Sequence, residues 1–368
     1  MNGDRETSQG KKVPVGLLQL LALGAGLLLL GATVSQEAWN QGIASSRGPR
    51  GGEQGMTRAP LPEPGLKWQR ITDAAPWSQR DAHGVAVFRD QLWVLGGLEG
   101  IDGSEEYWRM PHTSDVWASS DGIDWKLVTD RAPWGERRSL DAVEFGNRLC
   151  VLGGWGPGIG YRSDVWATED GEQWTAVAAK APWDPREGHA AAVFNGKLWI
   201  FGGVRFDRRE LKNDVWYTED GEHWVEVAAH APWSPRYDHT VSVFQGKLWL
   251  IGGLRFGEDI LSDVWVSRDG SSWERLTDAP PWPGRHGHSS LVWDNRLWII
   301  GGWSNAAGGL SDTWYTADGR TWTEALAGAP WKGREDHAAA VFKDAIWITG
   351  GMNADWQWEH DVWRLIRK

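Results

Sequence analysis

Shortly after each of six Pro-Trp pairs this 368-residue chain places an arginine: Arg80, Arg137, Arg186, Arg236, Arg285 and Arg334. Three residues further on stands a histidine in five of the six places, His83, His189, His239, His288 and His337, with Leu140 in the remaining one. A guanidinium is a planar fork that grips a carboxylate through two parallel hydrogen bonds. Six of them gathered at one mouth would make a cationic ring suited to acidic sugars or acidic peptide side chains. The competing expectation comes from six aspartates, Asp115, Asp164, Asp214, Asp263, Asp312 and Asp361, which open the triplets DVW or DTW. A residue that every unit carries is one that every unit needs, and arginine and aspartate could simply pair inside the scaffold. The histidines are one per unit, with no carboxylate at chelating spacing. They read as buried, hydrogen-bonded rings rather than metal ligands, and no metal is expected.

Positions that differ between units are the better candidates for chemistry. Beside the arginines stand Asp81, Arg138, Glu187, Tyr237 with Asp238, His286, and Glu335 with Asp336. The segments after each Gly-Gly pair differ as well, from the long EGIDGSEEYWRMPHT to WGPGIGYR, VRFDRRE, LRFGED, WSNAAGG and MNADWQWEH. They bring Trp108, Trp155, Trp303, Trp356, Trp358, Arg205, Phe206, Arg255 and Phe256 to the same end. Flat aromatics among arginines and carboxylates suit a sugar face or a protein hot spot, and they equally suit caps on the ends of sheets. No nucleophile elbow, zinc-protease pair or phosphate loop occurs, so no catalytic residue is assigned and no cofactor is expected.

The elements that must position these residues come from a repeat. Gly-Gly pairs stand at 96/97, 153/154, 202/203, 252/253, 301/302 and 350/351, and the DVW-type triplet recurs in step with them. Each unit of about fifty residues predicts four strands. In the third, HAAAVF (189–194) turns at Asn195-Gly196 into KLWIFGG (197–203), and a loop leads to NDVWYT (213–218). Asp220-Gly221 then turns the chain into HWVEVA (223–228). The Asn-Gly pair is a two-residue hairpin signal, and an unbroken apolar run such as KLWIFGG suits a strand covered on both faces. One small sheet cannot bury both faces alone, whereas six packed around an axis can. Small residues such as Ala190–Ala192 and Ala338–Ala340 fit the crowded inner strand. Tryptophan supplies bulk further out, in four slots per unit that take 23 of the 30 tryptophans, with Cys150 in the one slot where it is missing. The last unit stops after its third strand, HDVWRLI (360–366), and KWQRIT (67–72) at the other end is its missing fourth. The expectation is an all-β, six-bladed propeller over residues 66–366. Its Arg- and loop-bearing ends share one side, and its short DG and NG turns share the other.

A Gly-Gly pair ending the second of four strands, an aromatic in the third and Trp in the fourth resemble the kelch repeat. Here the third-strand aromatic is Trp where that family usually has Tyr, and its distance to the next Trp is one residue longer. The turn TEDGEQW is also similar to a shortened Asp-box of sialidase-like propellers. Both resemblances imply a β-propeller. The kelch resemblance implies that arginines leading into the first strand face the ligand pocket. It also brings the analogy of a six-bladed enzyme that interconverts sialic-acid anomers, for which Glu187, Glu335 and His286 could serve as acid and base. A copper-radical oxidase is not implied, because its Cys neighbours a copper-ligating Tyr and Cys150 lies in mid-strand.

Composition bounds the partners. The formal net charge of −11 disfavours nucleic acid, and a single Cys excludes an internal disulfide framework. After residues 1–12, which include Lys11 and Lys12, residues 13–34 carry no charge, long enough for one membrane span. They read as a signal anchor, or as a signal peptide if cleaved, and either exports the rest of the chain. Residues 35–65 read as a Gly/Pro-rich linker. The combined expectation is an exported, membrane-tethered propeller binding a protein or glycan through its Arg- and aromatic-rich end. A mutarotase or epimerase of an acidic sugar is the alternative.

Overall fold

The computed structural model describes residues 65–101, 109–257 and 259–368. The expected hydrophobic span at 13–34 and Trp108 lie outside them. Among the described residues no helix is long and apolar enough to cross a membrane.

Six four-stranded antiparallel sheets follow one another around an axis, as the repeat predicts. The third blade is typical: Ala190–Phe194, Lys197–Arg205, Glu210–Thr218 and Trp224–Ala228, hydrogen-bonded in that order from the axis outward. The innermost strands of successive blades are neighbours, and that of the last blade, Ala338–Phe342, lies beside that of the first, Gly84–Phe88. The ring is therefore closed at six. Its closure uses the strand expected for it: Leu66–Thr72 pairs antiparallel with Val362–Arg367, with Trp68 opposite Leu365.

Tryptophan fills the seams. The Pro-Trp indole of each unit meets the fourth-strand indole of the same blade edge-on, with centroids 4.7–6.2 Å apart, from Trp77 on Trp125 to Trp331 on Trp68. Such pairs add about 0.5–1.5 kcal/mol each beyond their burial. The second-strand indoles serve the next seam. At the DG turns Asp121, Asp170, Asp220, Asp269 and Asp318 each accept two backbone N–H bonds through Oδ1, which holds their carboxyls below the usual range. The glycine that follows has positive φ and lies flat against a second-strand Trp of the preceding blade; a Cβ on Gly171 would run into the Trp93 ring, and one on Gly319 into the Trp249 ring. The seam below Cys150 differs, since a Cβ on Gly221 would meet nothing nearer than Val177 at 3.2 Å.

Candidate functional site

The segments leading into the six inner strands share one pattern: arginine, a variable residue, a residue in left-handed conformation, then histidine or Leu140. Each part of the pattern has its own place.

The arginines turn into the blades. All six are buried, at most 1% exposed. Each grips both oxygens of the aspartate of its own blade at 2.5–3.1 Å, from Arg80 on Asp115 to Arg334 on Asp361. The same guanidinium donates to the carbonyl of the first glycine of the Gly-Gly pair at 2.8–3.0 Å. The third-strand indole of each blade donates to the same aspartate at 2.7–3.0 Å. Burial would push Asp115, Asp164 and Asp263 up, but the arginine's hydrogen bonds and charge outweigh it and hold them below the ordinary carboxylate range. Of the two fates open to the arginines, internal pairing is the one the structure shows: they form six internal ion pairs rather than a cationic ring at the mouth, and apart from Arg137 Nε their donors are used by the scaffold. Across the seams the second glycine donates to the arginine carbonyl of the next blade, as in Gly154 to Arg186, and Gly351 to Arg80 closes the circle at 2.9 Å. Both glycines have positive φ there, which allows that close backbone approach.

The left-handed residues form a belt around the axis. Ala82, Ser139, Gly188, Asp238, Gly287 and Asp336 all have φ between 48° and 60°. Backbone N–H groups donate around the ring from Ala82 to Asp336, Ser139 to Ala82, Asp238 to Gly188, Gly287 to Asp238 and Asp336 to Gly287, at 2.7–3.1 Å. This belt draws six distant sequence positions to one mouth.

The variable residues surround it: Asp81, Arg138, Glu187, Tyr237, His286 and Glu335, each bridged to the segment after its own Gly-Gly pair. Arg138 Nε donates to Glu187 Oε2 at 2.9 Å, and its guanidinium lies 5.0 Å from the Trp155 ring, which His112 meets edge-on from another side. Trp358 Nε1 donates to Asp81 Oδ2 at 2.9 Å. His286 Nδ1 is 3.4 Å from Glu335 Oε2, but burial lowers the imidazole to about 4, so the ring is neutral. Burial, then the charges of Asp336 and Glu187, raise Asp238 well above its usual range, and Glu335 is raised by burial and by Asp336, Asp81 and Asp238. Asp336 rises to about 6 through burial, against the pull of Arg138. The mouth is thus rich in carboxyl groups that hold their protons more firmly than usual, rather than in free guanidinium groups.

The aromatics divide. Trp155, Trp303 and Trp356 are half-buried on the loop-bearing end, whereas Trp358 is buried with Leu98, Met110 and Met352 as a cap. Phe206 stacks edge-on to Tyr237 and Phe256, and Arg205 lies over Tyr161 while pairing with Asp207. Arg255 pairs with exposed Asp259. The histidines are neutral: burial and the neighbouring arginine lower His83, His189 and His337 to about 3. Among the described residues no group of three or more His, Cys, Asp or Glu side chains is placed to hold a metal ion. Asp141 was missed by sequence reasoning. It lies 3.3 Å from His189, and burial raises it to about 7. Its signal was available, because the other units put Gly84, Ala190, Thr240, Ser289 or Ala338 in that place.

No curated protein matches the chain. A solved structure described as "Structure of YjhT" superposes with a TM-score of 0.63 over 79% of this chain and 96% of that one, at 18% identity, and so shares the fold. The kelch likeness of the repeat remains a resemblance. The family model that matches covers residues 50–314, 265 of the 368 residues, and the chain belongs to the family it describes, the DUF6242 beta propeller domain.

Proposed function

We propose that this chain is an exported, membrane-tethered recognition module that takes a polar ligand, carried by a protein or a glycan, at the loop-bearing end of its propeller. The observation that carries the reading is a separation of roles. At that end every position repeated in all six blades is used by the scaffold, while the unrepeated ones, Asp81, Arg138, Glu187, Tyr237, Asp238, His286, Glu335 and Asp336, gather round the axis. Half-buried Trp155, Trp303 and Trp356 on the same end offer flat apolar surface beside these polar groups. The uncharged run 13–34 behind Lys11 and Lys12 supports the tether.

The sign of the mouth favours ligands bearing hydroxyl or amine donors over acidic sugars. An acidic-sugar mutarotase would need a free cation for the sugar carboxylate, and the rim cation Arg138 is engaged by Glu187. NMR of anomer exchange over a panel of acidic sugars is accordingly expected to show no acceleration by the protein. The reading itself is tested by probing glycan and peptide arrays with the full-length chain and with the Glu187→Gln, Glu335→Gln double variant. Selective capture that the variant loses is the expected result. Capture of nothing, or capture indifferent to the substitutions, overturns it.

A further inference from the structure

In the third blade the strands Lys197–Arg205 and Glu210–Thr218 stay paired up to the tip of their hairpin, where Arg205 stands opposite Glu210. The tip itself is Phe206–Arg208 followed by Arg209, which is left-handed with a φ of 51°. Glycine fills the left-handed places at the tips of the second, fourth and fifth blades, at Gly158 and Gly160, Gly257 and Gly308. A longer side chain at such a place costs backbone energy that packing or function must offset. Trp356, left-handed at the tip of the sixth blade, is offset by packing: its ring lies 6.4 Å from Trp358 and against the cap of Leu98, Met110 and Met352. Arg209 is exposed, and the aromatic it meets is Phe256, 6.0 Å away. An exposed cation–π contact contributes less than the left-handed conformation costs.

Arg208 beside it is exposed too, and neither arginine is paired with a carboxylate among the described residues. The carboxylates around the tip are already taken: Asp207 by Arg205 at 2.7 Å, Asp184 and Glu210 by Lys212 at 2.5 and 3.3 Å, and Asp259 by Arg255 at 3.0 Å. In a chain of net charge −11, the tips Pro157–Ile159 and Asn305–Ala307 carry no charge and that of the sixth blade carries Asp355, so two adjacent cations set this tip apart. The tip is also held in place. Arg205 is fixed between Asp207 and the Tyr161 ring, and Phe206 N–H donates to the Tyr161 hydroxyl at 3.1 Å. Phe206 and Phe256 are half-buried against Val204, Tyr237 and Leu254. Little order remains to be lost when a partner docks.

We propose that the tip of the third blade, Arg208 and Arg209 with Phe206 and Phe256, is a docking surface for an acidic peptide segment of a partner protein. Each guanidinium takes a carboxylate of the segment, and an apolar side chain between them rests on the phenyl rings. The geometry favours a peptide over an acidic glycan. A sugar ring stacks on a flat face, whereas Phe206 stands at 86° to Tyr237 and at 61° to Phe256, so these rings offer no common plane. The surface uses none of the carboxyl groups at the axial mouth and does not rest on the function proposed for that mouth.

Fluorescence anisotropy on the full-length chain tests the surface with a labelled octapeptide of glutamate and leucine, the same peptide with glutamine for glutamate, and oligogalacturonate. The acidic peptide is expected to bind, to weaken as salt is raised, and to bind at least about tenfold less tightly to the Arg208→Ser, Arg209→Gly double variant. Arg209→Gly alone is expected to keep or raise the Tm, since it removes the left-handed penalty. Failure of the acidic peptide to bind overturns the proposal, as does equal binding of its glutamine form or binding that the double variant retains. A fall in Tm for Arg209→Gly also overturns it, because the arginine would then serve the fold. Tighter binding of oligogalacturonate would overturn the peptide in favour of an acidic glycan. The Glu187→Gln, Glu335→Gln variant should bind the peptide as the native chain does; a loss there would move the peptide to the axial mouth and sink the tip.

Discussion

Arg236 and Tyr237 are consecutive in the chain, yet they belong to different regions. Arg236 is one of six equivalents, turned outward into its blade and held by Asp263 and the Gly252 carbonyl. Tyr237 has no equivalent and faces Phe206 at the rim. The repeated shell satisfies its charges internally, one arginine to one aspartate. The rim does not, and its carboxyls are raised by burial and by one another. The contrast shows how a symmetric scaffold frees an asymmetric site. Once each blade has consumed its own ions, the character of the axis is set by the few residues that the repeat leaves open.

The largest effects should break the shell. Arg186→Ala leaves Asp214 buried without its partner and is expected to destabilise by about 3–5 kcal/mol in urea unfolding. Asp336→Asn at the rim should be neutral or stabilising; a loss as large as that of Arg186→Ala would abolish the distinction between the two regions. Next comes a comparison of seams. Gly319→Ala and Gly221→Ala share the left-handed backbone penalty of about 1–2 kcal/mol. Only Gly319→Ala must also displace an indole, so it should cost about 1–3 kcal/mol more. Equal losses would mean that having Cys150 where the other blades have Trp does not loosen its seam.

pH sharpens the same comparison. Buried His83, His112, His189, His286 and His337 are lowered to about 3 or 4, and His239 and His288 well below their usual value. The unfolded chain therefore takes up protons below about pH 6.5 that the folded one refuses, and stability falls as pH drops through that window, by up to about 1.4 kcal/mol per histidine per pH unit. Asp336, at about 6, Asp141, at about 7, and Asp238 and Glu335, raised well above their usual range, act in the opposite sense, because the folded state holds their protons longer. The histidines outnumber the raised acids, so the net expectation is acid lability that sets in below about pH 6. His239→Gln should flatten the acid limb in urea midpoints compared at pH 7 and pH 4.5. An unchanged slope would show that the ring is not held neutral. The smallest effect belongs to the rim pair of Arg205 and exposed Asp207, where Asp207→Ala should shift stability by about 0.2–1 kcal/mol.

Much of the fold was legible because a repeat reports the same structural demand six times. The Gly-Gly pairs, the hairpin turns, the tryptophan slots and the orphan strand around Trp68 all follow from local rules of turn geometry and burial. Chain order also showed that arginines, aspartates and variable residues share one end, and it offered both fates for the arginines. It could not choose between them. The choice depends on whether a guanidinium points along its blade or across the axis, and this is fixed by the Gly-Gly backbone that offers it a carbonyl beside the aspartate. Asp141 stood out in the repeat as the one charged residue at its position, but its role depends on His189 arriving from the next blade.

By itself, then, the order of residues determined the number of blades, the closing strand and which positions vary, because periodicity and hydrophobic burial are local properties summed along the chain. Only the tertiary structure decided the sign of the mouth. Which charges cancel and which remain is settled by distances of a few ångströms between residues some thirty to fifty positions apart, and those distances exist only once the ring has closed.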